Sequence, residues 1–66
     1  MNEQLSKRYA QLGFAIELFE IGDKLKACYQ LGYVRKSITS DPVLSVQDKS
    51  DLDARAIEIY KQFGLN

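Results

Sequence analysis

Apolar residues at helical spacing are the feature that most restricts this chain: Leu5, Tyr9, Leu12, Ile16 and Phe19 follow one another in alternating steps of four and three. Such a run paints one stripe along a helix and predicts a first helix over about residues 2–21. Gly22 then offers the left-handed backbone that commonly ends a helix, and the Asp23 carboxylate can cap the next one. A second helix follows over about 23–38, with Ala27, Leu31, Val34 and Ile38 on its stripe. Gly32, in its middle, costs about 1 kcal/mol relative to alanine and marks a candidate break. Residues 37–47 read as a connection, because the residue before Pro42 is pushed out of helical geometry. Asp41 and Pro42 are alternatively the cap and first position of a single helical turn. The third helix, over about 45–63, carries Leu52, Ala56, Ile59 and Phe63 on its stripe, with Ile57 and Tyr60 beside it and Gly64 at its end. Two capping boxes compete for its start, Ser45 with Asp48 and Ser50 with Asp53. Strand signals are weak, so the expected fold is all-α: one three-helix domain over residues 1–66.

Length makes that core thin. Sixty-six residues bury only about 60% of the surface the unfolded chain exposes. A single core below about 70 residues rarely supplies more than about 3–5 kcal/mol without a disulfide, a metal or a second subunit. Cys28 is the only cysteine and there is no histidine, so no internal disulfide and no Cys/His zinc cluster can form. A second subunit is the aid that remains. The unpaired cysteine and the lack of a signal peptide point to the cytoplasm. The apolar runs are far shorter than the ~20 residues that span a bilayer, so no membrane role is expected.

The first helix is more apolar than one core-facing side requires. Leu12, Ala15, Ile16 and Phe19 share one arc, Phe14, Leu18 and Ile21 another, and only Gly13, Glu17 and Glu20 form a continuous polar strip. One buried face needs a stripe only somewhat wider than ~100°. Leu12, Phe14, Leu18 and Ile21 are therefore candidate residues of a partner or homodimer interface. The competing reading is that two neighbouring helices use up both arcs.

The charges are uneven. Nine bases balance nine acids overall, yet residues 24–40 hold Lys24, Lys26, Arg35 and Lys36 and no acid. Within this stretch, Ala27 to Ser40 resembles a helix-turn-helix DNA-binding unit: Cys28 would be the small packing residue, Leu31 and Ile38 the bridge between helices, and Gly32 the turn. The resemblance implies that Arg35, Lys36, Ser37, Thr39 and Ser40 face DNA. It covers some fifteen residues of a loose pattern. Asp41 falls where that pattern wants an apolar residue, and Pro42 stops the second helix early.

The remaining candidates have plainer explanations. Tyr9, Tyr29, Tyr33 and Tyr60 are expected to pack in the core or an interface with their hydroxyls at the edge. Asp48, Asp51 and Asp53 lack the glycine and terminal glutamate of a calcium loop, and suit a helix start instead. No catalytic residue, metal site or cofactor is expected, since the chain has no histidine and no phosphate-binding glycine loop. Cys28 is expected in the core. The expected function is a non-enzymatic regulatory or adaptor protein that binds a protein partner through helical surfaces, as a homodimer; an inhibitor that masks an enzyme is one form of it. The alternative is a DNA-binding regulator using residues 25–40.

Overall fold

The computed structural model describes residues 3–64, and these form three α-helices: α1 (Glu3–Glu20), α2 (Lys24–Ser40) and α3 (Val46–Gln62). The described residues contain no strand. The expected start of the first helix at Asn2 lies outside them.

Local chemistry sets each boundary. Gly22 adopts φ +92°, a conformation most side chains avoid. Its N–H donates to the Phe19 carbonyl at 3.1 Å and the Asp23 N–H to the Leu18 carbonyl at 3.0 Å. This crossed pair of bonds is the Schellman arrangement, which satisfies carbonyls left over at a helix end. Asp23 then caps α2, its Oδ1 accepting from the Lys26 N–H at 3.2 Å. Three residues thus reverse the chain, and α1 and α2 form an antiparallel hairpin.

α2 runs two residues past its expected end. The Thr39 hydroxyl donates to the Arg35 carbonyl and the Ser40 hydroxyl to the Lys36 carbonyl, both at 3.1 Å. Asp41 is extended (ψ 119°), the conformation that a following proline enforces, so the helix stops there. No helical turn forms at Pro42. Of the two candidate boxes, Ser45 and Asp48 cap α3 reciprocally, while Asp53 lies inside the helix. Gly64, at φ +79°, closes it.

The core comprises Leu12 and Ala15 from α1, Leu31, Val34 and Ile38 from α2, Leu44 from the loop, and Leu52, Ala56 and Ile59 from α3. Alanines at 15, 27 and 56, all fully buried, let the helix axes approach closely. Leu5, Ile16, Tyr60 and Phe63 pack partly buried against this centre. Phe19 and Phe63 stack with ring centroids 4.3 Å apart, pinning the end of α3 to the end of α1. Tyr9, expected on the buried stripe, is exposed at the margin of α1. Among the described residues no helix is long and apolar enough to cross a membrane.

Candidate functional site

Two ion pairs hold the third helix and its loop against the hairpin. The Asp41 side chain is buried (residue exposure 3%) and its Oδ2 accepts from Arg8 Nη2 at 3.0 Å and Arg8 Nε at 3.1 Å. Gln4 Nε2 donates to the same oxygen, and Oδ1 accepts from the Val43 N–H at 2.8 Å. The Gln4 bond holds the Asp41 carboxyl down at about 2, below its ordinary 3.8; burial opposes this, and the Val43 N–H and Arg8 add to it. On the other side of the bundle, Arg35 Nη2 lies 2.8 Å from Asp53 Oδ1. The Arg35 guanidinium also sits over the Tyr60 ring, 5.4 Å from its centroid.

The turn of the expected helix-turn-helix does not form. A turn was expected at Gly32, but α2 passes through it unbroken, because the stripe of Ala27, Leu31, Val34 and Ile38 stays in one helical register on both sides and is buried throughout. Arg35, expected over DNA, is engaged by Asp53 and Tyr60. The hydroxyls of Ser37, Thr39 and Ser40 donate back to carbonyls of their own helix. Of the five expected DNA-facing residues, only Lys36 presents a side chain to solvent with no partner among the described residues.

The expected partner face of α1 is corrected at one position. Leu12 is 1% exposed and belongs to the core, because it shares a row with Leu5, Ile16 and Phe19. Phe14, Leu18 and Ile21 lie on a neighbouring row together with Gln11, in steps of three and four. The Gln11 carbonyl accepts from Gln30 Nε2 at 3.4 Å, which places this row along the α2 seam. Leu18 is half-buried there.

Opposite the core, α2 carries a second outward row that sequence reasoning missed. Leu25 (84% exposed), Tyr29 (79%) and Tyr33 (55%) form it, and Phe14 (49%) on α1 and Ile21 (77%) in the turn are exposed as well. Tyr29 and Tyr33, expected in the core or in an interface, are not core residues and stand opposite the buried stripe. Cys28, expected in the core, is half-buried and lines an open groove of about 370 Å³ with Tyr29, Gly32, Tyr33 and Lys36. The signal was present: Leu25, Tyr29 and Tyr33 recur every four residues, out of phase with Ala27, Leu31 and Val34. On α3 the exposed apolar residues Val46 and Ile57 stand apart from each other, three turns along the helix. Compared with protein-family models, curated proteins and solved structures, the chain matches none.

Proposed function

We propose that this chain is a non-catalytic binding module, a small regulatory or adaptor protein that works through the solvent side of its α1–α2 hairpin. One observation carries the reading. Five large apolar side chains between 49% and 84% exposed are carried by the hairpin of a 66-residue chain, on α1, on α2 and in the turn between them, and exposed apolar surface concentrated on one hairpin marks an interaction site more often than an idle surface. The chemistry left over supports binding rather than catalysis. Asp41 and Asp53 are committed to arginines, and the chain has no histidine to move protons near neutral pH.

The row of Phe14, Leu18 and Ile21 is the proposed homodimer contact, and a dimer would supplement a core this thin. Sedimentation equilibrium at micromolar concentration tests it. A dimer is expected for the wild type, and a monomer for Phe14→Asp with Ile21→Asp, since unpaired charges in a buried contact are strongly unfavourable. Both positions are exposed in the single chain, so helicity should persist. A wild-type monomer of 7.5 kDa would defeat the dimer.

A further inference from the structure

We infer that the outer face of α2 is a docking groove for one amphipathic helix of a partner chain, apolar in its middle and acidic at both ends. The inference rests on the binding-module reading and gives that module a class of partner.

Geometry supplies the first part. Tyr29, Gly32, Tyr33 and Lys36 stand at positions i, i+3, i+4 and i+7, the four corners of the hole that receives one side chain from a packed helix. Leu25, Cys28, Tyr29 and Gly32 repeat the hole one turn earlier. The two holes share Tyr29 and Gly32, and the missing side chain of Gly32 makes the floor of the groove plain backbone. The fold itself does not demand that glycine. A Cβ placed there would meet only the Tyr60 hydroxyl, at an ordinary 4.0 Å, and the backbone is helical with no positive φ. A mid-helix glycine weakens the helix, so an open groove is what the chain gains in exchange. Two successive holes along one helix fit two apolar side chains three or four positions apart on another helix.

Charge supplies the second part. α2 contains no acidic residue. Lys36 stands at one end of the groove without an ion-pair partner among the described residues, and Lys26, near the other end, has only an exposed contact with Asp23 at 3.7 Å. Ten residues of helix separate the two lysines by about 15 Å along the axis. The Tyr29 and Tyr33 hydroxyls donate to nothing among the described residues and are open to a carboxylate. A second copy of α2 laid on this face would bring lysines against lysines. A helix with acids about three turns apart and apolar residues between them matches both the groove and its charge.

The experiment uses two fluorescent probe peptides of about 18 residues, long enough to be helical. They are identical in their central leucines and differ only in glutamates or lysines at the ends. Anisotropy titrations with the full chain should show saturable, salt-weakened binding of the glutamate probe and none of the lysine probe. Lys26→Glu with Lys36→Glu should reverse that preference, and Gly32→Leu should weaken the glutamate probe by about tenfold or more while raising the thermal midpoint. No saturation by the glutamate probe, equal binding of both probes, or an unaffected Gly32→Leu would each overturn the inference. Sedimentation of the same samples separates the two levels. If Lys36→Glu alters self-association, a second copy occupies the groove and the inference fails. If the dimer persists through Phe14 and Ile21 while the glutamate probe does not bind, the groove fails and the binding module stands.

Discussion

Arg8 and Asp41, 33 positions apart in sequence, are joined by two bonds from one guanidinium to one carboxylate oxygen, at 3.0 and 3.1 Å. The contact fastens the α2–α3 loop to the first helix, and Gln4 completes it from the turn before. A hydrogen-bonded buried carboxylate of this kind is a pH-dependent fastening.

Its sign follows from the direction of the shift. The Asp41 carboxyl titrates at about 2 in the folded chain against an ordinary 3.8, so the unfolded chain takes up the proton first. The contribution is complete above the ordinary value and is lost as pH falls through about 2. Asp41→Asn should therefore lower the thermal midpoint at pH 7. The gap between wild type and variant should narrow as pH falls from 4 to 2. A gap of constant width across that range would show that Asp41 is not the titrating group.

Gly22 and Gly32 should respond to alanine in opposite directions. A Cβ at Gly22 meets nothing within 4 Å, yet the residue holds φ +92°, so the cost is conformational strain of about 1–2 kcal/mol. Gly32 is ordinary helix with room for a methyl group, and Gly32→Ala should stabilise by up to about 1 kcal/mol. Urea unfolding of the two variants decides this, and a destabilised Gly32→Ala would contradict the spacing found around that residue.

Neutralising Arg35 should have a small effect on stability. Its pair with Asp53 is partly exposed on both sides, and such pairs contribute about 0–1 kcal/mol. Because the guanidinium is engaged by Asp53 and Tyr60 and the helix does not turn at Gly32, duplex DNA titrated at increasing salt should show no binding that weakens with salt. A steep salt dependence abolished by Arg35→Ala with Lys36→Ala would restore the DNA reading.

The helices and their caps were legible in the sequence because they are encoded within a few residues of one another. Gly22 and Asp23 announce their boundary locally, Ser45–Asp48 is one of the two boxes offered for the start of α3, and the four-residue rows of α2 and α3 declare their buried sides. What depends on distant partners was hidden. Asp41 looked like a misplaced acid or a cap, since nothing near it in sequence names Arg8 and Gln4 as its ligands. Arg35 and Lys36 are neighbours in sequence with the same charge, but one helical step separates the α3 seam from open solvent. Leu12 and Phe14 were grouped as one apolar surface for the same reason: which arc of α1 is covered is decided by where α2 and α3 lie. Gly32 suggested a break because propensity counts only the cost to the helix and not the packing that carries it through.

The reversal at residues 21–23 also sets an order of events. Helices joined by so few residues meet quickly, and Asp41, the C-cap of α2, comes to Arg8 with that hairpin, whereas α3 must be brought in separately across residues 41–45. The carboxylate contact is therefore expected to be in place by the time the barrier to folding is crossed, and its loss should appear mainly in the folding rate, with the unfolding rate nearly unchanged. Stopped-flow chevrons of the wild type and Asp41→Asn would display this as a lowered folding limb. Acid, by protonating one buried side chain, would slow the formation of the native state without shortening its lifetime.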